Sequence, residues 1–128
     1  MAWETCEWCQ KNINGRYAAD RHRKSEHPAD YRVWQAETRA NSTRLNIDRY
    51  EADLAEHRVF REYIETHDMP DVVRKTLESQ RDQCSWMTRH GMSIEATLVL
   101  LIKGRYEALA EYEAELAAAR DNLAEVTA

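Results

Sequence analysis

Residues 94–126 read IEATLVLLIKGRYEALAEYEAELAAARDNLAEV, and this stretch decides the fold class. Bulky aliphatic side chains recur in it at every seventh position, namely Ile102, Leu109, Leu116 and Leu123. The companion positions of the same repeat are Leu98, Arg105, Tyr112, Ala119 and Val126, all apolar or aromatic except the arginine. A repeat of this kind is typical of a helix whose apolar seam packs on another helix. We therefore predict a helix over about 94–126, capped at its start by the side chain of Ser93.

A second long helix is predicted over about 30–66, where the sequence contains neither glycine nor proline. Its apolar residues also recur at every seventh position, at Val33, Ala40, Ile47 and Leu54. The polar run Asn41-Ser42-Thr43 is the weakest part of this pattern and predicts a kink or a break. Two helices of this length suit either an antiparallel hairpin or a dimeric coiled coil.

A shorter helix is predicted between them, over about 70–89, with Val73, Leu77, Cys84 and Met87 on one stripe and His90-Gly91 as its end. The run 98–102 is apolar on every side of its helix, which is typical of a segment buried in a bundle or an interface. It predicts self-association through the helices, with a monomeric bundle that covers the segment as the alternative.

Composition excludes several other classes of protein. The chain has 128 residues with only 3 Gly and 2 Pro, too few turn residues for an all-β fold. The longest apolar run has five residues, whereas a bilayer span needs ~20. Residues 1–10 carry two glutamates and no apolar stretch, so we expect no signal peptide and an intracellular protein. The net charge is −5, and residues 1–28 are its one weakly basic part, so nucleic-acid contacts would have to come from there.

Four potential metal ligands occur close to the amino terminus, in the pattern Cys6-x2-Cys9-x12-His22-x4-His27. These are the ligand types and spacings of a structural zinc site, which holds its ion in a tetrahedron of four donors. The five-residue step from His22 to His27 overshoots one helical turn, so the last turn must loosen. Pro28 favours this, because it biases the residue before it away from the α conformation. We predict one structural Zn²⁺ per chain; the alternative is chance spacing in a histidine-rich segment.

Residues 3–28 resemble the C2H2 zinc-finger family, whose fold is a ββα unit. The resemblance covers the four ligands, an apolar residue at Ile13 and another at Ala19. Asn14 takes the place of the helix cap. The family's bulky core pair is reduced to Ile13 and Ala19, and Trp3 and Trp8 are candidates to supply the missing bulk. The resemblance ends at residue 28 and implies a ββα finger at 1–28. Together with the helices predicted from the apolar repeats, this gives a mostly α protein whose residues 29–128 form a helical, coiled-coil region.

The resemblance also bears on nucleic-acid binding. The family's base-reading positions fall on Gly15, Tyr17, Ala18 and Arg21, of which only the arginine can make a bidentate contact to guanine. No second cysteine pair follows to build another finger. The basic side chains that remain for phosphates are Arg16, Arg21, Arg23 and Lys24. A dimeric regulator that contacts DNA through this helix is therefore the alternative, and a finger that binds protein is the first expectation.

No catalytic motif is present: the sequence has no phosphate-binding glycine loop, no nucleophile elbow and no second metal constellation. We expect the thiol of Cys84 to be buried. We expect structural rather than catalytic roles for His57, His67 and His90. We expect a non-enzymatic interaction protein without a small-molecule substrate or a membrane. Its helices would associate with each other or a partner, and its finger would present Trp3, Trp8, Tyr17 and Arg21 to a protein surface. Single bacterial or phage fingers look similar, which implies a small regulator, adaptor or assembly component.

Overall fold

The computed structural model describes residues 2–81 and 93–128, and it is mostly helical with a short β-hairpin at the start. The hairpin consists of β1 (Trp3–Thr5) and β2 (Asn12–Asn14). The helices are α1 (Arg16–Glu26), α2 (Pro28–Thr66), α3 (Asp71–Arg81) and α4 (Ile94–Thr127). The predicted fold class, a ββα start followed by long helices, is confirmed. No helix in this part of the chain has both the length and the apolar character that a membrane crossing requires.

The chain divides into two compact units, one of Met1–Ser42 with Ala110–Ala128 and one of Thr43–Leu109. In the first unit, β1 and β2 pair antiparallel with Trp3 opposite Asn14. The turn between them is closed by two backbone hydrogen bonds, from Cys6 N–H to Lys11 O (2.9 Å) and from Gln10 N–H to Cys6 O (2.7 Å). Gln10 adopts a positive φ of 63° in this turn. The hairpin therefore places the segment 6–9 in one tight bend.

Helix α1 begins after Gly15, not at a cap on Asn14 as predicted. Gly15 has a φ of 102°, in the left-handed region that favours glycine, and no side chain caps the helix. Ala19 is buried against the hairpin and Ile13 is half-buried, as the resemblance implied. Trp3, in contrast, is 68% exposed, so it does not supply core bulk. Strand alternation explains the difference, because Trp3 and Thr5 are exposed while Glu4 between them is half-buried.

The helical part of the first unit is an antiparallel contact between the start of α2 and the end of α4. Ala36 and Ala40 of α2 are buried, as are Leu116 and Ala119 of α4. Exposed ion pairs flank this seam, Arg39 with Glu115 (3.8 Å) and Glu37 with Arg120 (3.9 Å). The seam is mostly alanine, so its hydrophobic contribution comes from close packing more than from large side chains.

The second unit also pairs α2 with α4 in antiparallel fashion. The buried residues are Thr43, Ile47, Leu54 and Ile64 of α2, and Thr97 and Leu98 of α4. The flanking contacts are Arg61 with Glu95 (2.7 Å) and a hydrogen bond from the Tyr106 hydroxyl to Glu51 (2.5 Å). The predicted cap is confirmed, since Ser93 Oγ accepts a hydrogen bond from Ala96 N–H at 3.1 Å.

One prediction about α2 needs correction, namely the break at Asn41-Ser42-Thr43. The helix begins at Pro28, which suits the first helical position, and it continues without a break through Asn41-Ser42-Thr43. Thr43 is 3% exposed and lies on the same stripe as Ile47, so it is part of the seam. At the other end, Arg74 donates hydrogen bonds to the carbonyls of Ile64 and His67, which caps the helix. The predicted roles of Cys84, Met87 and His90-Gly91 lie outside the described residues.

Candidate metal centre

The four predicted ligands come together at one end of the ββα segment. Cys6 follows β1, Cys9 lies in the bend, His22 is on α1 and His27 lies between α1 and α2. Their ligand atoms all lie within 4.8 Å of one another. Cys9 Sγ and His22 Nε2 are 3.4 Å apart. The edges of a tetrahedron with zinc–sulfur and zinc–nitrogen bonds of the usual length are roughly 3.3–3.8 Å, so the observed separations are close to those of a four-ligand metal site.

His27 lies just after the end of α1, and its backbone conformation allows two histidines five residues apart to face the same point. Its backbone leaves the helix, with φ −130° and ψ 56°, while its N–H still donates to Arg23 O at 3.0 Å. The predicted loosening of the last turn before Pro28 is thus confirmed. The ring lies against His22, with centroids 5.3 Å apart, and against Trp8 at 5.7 Å.

The Nε2 atom of His27 is buried and has no hydrogen-bond partner within the described residues. A buried nitrogen of this kind carries a desolvation cost of about 1–3 kcal/mol unless something binds it. It belongs to the cluster of sulfur and nitrogen donors, so a metal ion would satisfy it. The donor set and this unpaired nitrogen both fit a metal ion at this position.

Cys6 is the most enclosed of the four ligands, with a side chain that is fully buried. Burial raises the pKa of its thiol, but hydrogen bonds from the backbone N–H groups of Trp8 and Cys9 outweigh burial, and the pKa is lowered. The thiolate is the form that binds a metal. The folded bend therefore favours the form of Cys6 that can act as a metal ligand.

Arg23 connects helix α1 to strand β1 and to the bend that carries the two cysteines. Its guanidinium lies on α1 and forms ion pairs with Glu4 of β1 (3.2 Å) and with Glu7 of the bend (3.0 Å). Burial lowers the pKa of Arg23, but the two carboxylates outweigh this and hold the pKa above its ordinary value. Glu7 lies between the two cysteines, so these contacts fix the bend against the helix that carries His22. The sequence suggests a phosphate contact for Arg23 and does not predict these ion pairs, because the two partners are 16 and 19 residues away.

The predicted partner-binding residues separate into two groups. Trp8 is half-buried against His27 and thus supports the site. Trp3 and Tyr17 are 68% and 78% exposed, and the Arg21 guanidinium lies 4.9 Å above the Tyr17 ring. Trp34 of α2, which the sequence analysis did not select, is also exposed. The helical repeat predicts this exposure, since Trp34 lies one position after Val33 and therefore outside the buried stripe of α2.

An open groove lies next to the exposed aromatic side chains Tyr17 and Trp34. Two aromatic side chains and four charged ones line it, namely Tyr17, Trp34, Glu4, Arg16, Asp20 and Arg23. A second groove shares Trp34 and includes Trp8 and Leu123. Of the predicted phosphate contacts, Arg16, Arg21 and Lys24 are exposed, whereas Arg23 is held by its two carboxylates.

The described residues contain no other group of three or more histidine, cysteine or acidic side chains close enough to hold a metal. Outside this cluster, His67 uses Nδ1 to contact Tyr63 O (2.9 Å) and its ring stacks on Tyr63, contacts that agree with the predicted structural role. No protein-family model, curated protein or solved structure matches the chain. The four side chains lie close enough together to bind a metal ion, and this rests on their geometry alone.

Proposed function

We propose that Cys6, Cys9, His22 and His27 bind one zinc ion, and that residues 3–28 are a single C2H2-type zinc finger. The observation that carries this proposal is the convergence of two sulfur and two nitrogen donors within 4.8 Å. Two thiolates with two imidazoles are the donor set of structural zinc sites. The closely spaced hard oxygen ligands that magnesium and calcium prefer are not part of the cluster.

The role proposed for the ion is structural. Four protein ligands complete a tetrahedral zinc shell and leave no position for water or substrate. The described core of the ββα segment contains only Cys6 and Ala19 as fully buried residues, which is too little apolar surface to fold such a short unit. Zinc binding would supply most of its folding free energy.

We propose that the whole chain is a non-enzymatic interaction protein in which this finger recognises another protein. Trp3 and Tyr17 are well exposed on the finger, and Arg21 is already stacked on Tyr17. Aromatic and arginine side chains contribute most to protein interfaces. Aromatic side chains bury a large area with few rotatable bonds, and the planar guanidinium of arginine stacks on aromatic rings and donates several hydrogen bonds. An exposed stacked pair beside a groove with Trp34 is the arrangement such an interface uses. The antiparallel helices would support the finger and associate with a partner helix or a second copy.

Zinc binding is tested by native mass spectrometry of the full chain. One zinc per chain should be retained in the absence of chelator, and it should be lost in Cys9→Ser. Asn12→Ser, in the neighbouring strand, is the matched control and should keep the ion. A chain that stays folded and metal-free in zinc-containing buffer would contradict the proposal.

Partner recognition is tested by comparing captured proteins from the source lysate. A variant that combines Trp3→Ser, Tyr17→Ser and Arg21→Ser should lose the specific partner while retaining zinc. The control combines Val72→Ser with Lys103→Ser, which are exposed positions outside the finger. Equal capture by both variants would show that the finger surface does not recognise the partner.

The alternative is a dimeric regulator that contacts nucleic acid through α1. The observation in its favour is that Arg16, Arg21 and Lys24 are exposed on this helix. Its measurement is the affinity for duplex DNA as a function of salt concentration. Phosphate contacts predict a steep slope that becomes shallower by about one unit for each basic residue removed. Absence of binding at low salt would eliminate this function.

A further inference from the structure

The α4 run 98–102, which was expected to drive self-association, is only partly used within the chain, because Leu98 is buried whereas Val99, Leu100 and Leu101 are 45%, 57% and 37% exposed. In the first unit, Leu116 and Ala119 are buried by intramolecular packing, and in the second unit Leu98 is buried in the same way. Ile102 and Leu109 are half-buried. Besides the exposed side of this run, α2 offers an apolar surface to a second copy, and the charges beside that surface favour it.

The opposite face of α2 carries a second apolar stripe. In the second unit it consists of Leu45, Ala52 and Val59, which recur at every seventh position. They lie roughly 150° around the helix from the buried stripe of Ile47 and Leu54. Leu45 and Val59 are 69% and 68% exposed. The outermost position of a paired helix normally carries charged side chains, so three apolar residues in succession there indicate a contact.

The charged residues that flank this stripe are arranged so that two copies of the surface present opposite charges to each other. A two-fold axis through Ala52 would set a second α2 antiparallel to the first, with Leu45 of each copy opposite Val59 of the other. On one flank, Arg49 of each copy then lies beside Glu56 of the other, which gives two opposite-charge pairs. On the other flank, Asp48 meets the uncharged Ala55. No like charges are opposed at these positions, and the small side chain of Ala52 at the axis allows the helices to approach closely.

Arg49 and Glu56 are also free to make these pairs, because both are exposed and neither has an ion pair within the described residues. We infer that the Leu45–Ala52–Val59 stripe of α2 is a homodimer interface in which two copies pack antiparallel about Ala52. This inference rests on the proposed function, in which the helices associate with a partner. It identifies that partner as a second copy of the chain. One helix stripe is smaller than a standard interface, so we expect a dissociation constant in the micromolar range.

The test is sedimentation equilibrium of the full zinc-loaded chain across micromolar concentrations. The wild type should show a monomer–dimer equilibrium. Arg49→Glu alone should weaken the dimer about tenfold, because it creates two like-charge contacts with Glu56, and Glu56→Arg alone should do the same. The combined variant Arg49→Glu with Glu56→Arg restores both pairs and should recover the wild-type constant. Lys103→Glu, which changes net charge equally at an exposed site on α4, should have no effect.

The apolar stripe is tested separately with Leu45→Glu plus Val59→Glu, which should yield a monomer of unchanged helicity, since both positions are exposed. A wild type that is monomeric throughout would overturn the inference. So would a dimer that the combined charge reversal fails to rescue, or one abolished by Leu100→Glu on α4 instead. The finger takes no part in this contact, so chelation of zinc should leave the dimer intact. A wild-type chain that stays monomeric while it retains its zinc and its partner would reject this interface without affecting the proposed role of the finger.

Discussion

Replacing Arg23 with methionine tests whether the ion pairs across the ββα segment support the metal site. The substitution keeps the length of the aliphatic part but removes both contacts, to Glu4 and to Glu7. The side chain of Arg23 is 20% exposed, while those of Glu4 and Glu7 are 32% and 48% exposed. A partly exposed pair contributes ~0.2–1 kcal/mol, so both pairs together contribute about 1–1.5 kcal/mol after screening by solvent.

In the proposed zinc finger, zinc binding and folding are one equilibrium, so the loss is expected to appear as weaker zinc affinity. A loss of about 1–1.5 kcal/mol corresponds to a dissociation constant about five- to tenfold higher. The assay is competition with a chromophoric zinc chelator at low ionic strength. Lys24→Met is the matched control, because Lys24 is exposed and makes no ion pair in the described part of the chain. Equal affinity of Arg23→Met and wild type, or an equal loss in Lys24→Met, would refute the reasoning.

Three further substitutions test the helical part. Ile64→Ala removes a fully buried side chain and should lower the free energy of unfolding by about 2–5 kcal/mol in urea, whereas Val72→Ala at an exposed site should change it by less than about 0.5 kcal/mol. Ser93→Ala removes the cap of α4 and should reduce stability by about 1 kcal/mol; no change would mean that the cap is dispensable. Tyr106 donates to Glu51, which raises the pKa of Tyr106. The stabilisation is therefore complete below the unfolded pKa of about 10 and is lost as the pH rises through the folded value, so Tyr106→Phe should be less stable than wild type at neutral pH and equal to it at high pH. A stability difference that does not change with pH would contradict this.

The sequence predicts the seam of α4 residue by residue, because large aliphatic side chains repeat at a fixed period. Leu98, Leu116 and Ala119 are buried where the repeat places them, and only Val126, near the helix end, is well exposed. The seam of α2 is predicted less completely. Its companion positions include Ala36 and Thr43, which are small or polar and carry little hydropathy signal, yet both are buried.

The metal ligands are predictable because coordination chemistry restricts both their types and their spacing. The residues that hold these four side chains in place are harder to predict from the sequence. The start of α1 depends on the backbone of Gly15 rather than on a capping side chain, and a propensity argument selects Asn14 instead. Arg23 acts through carboxylates far away in sequence, and such contacts exist only once β1, the bend and α1 have packed together.

The coordination shell of the bound ion is the most direct test of the central claim. X-ray absorption spectroscopy at the zinc edge, on the chain loaded with one equivalent of zinc, reports the number and type of the ligands. We predict two sulfur atoms at about 2.3 Å and two nitrogen atoms at about 2.0–2.1 Å, with no oxygen ligand. His27→Ala should replace one nitrogen with a water oxygen and leave both sulfur atoms. A wild-type shell that contains an oxygen ligand, or fewer than two sulfur atoms, would contradict a closed structural site formed by Cys6, Cys9, His22 and His27.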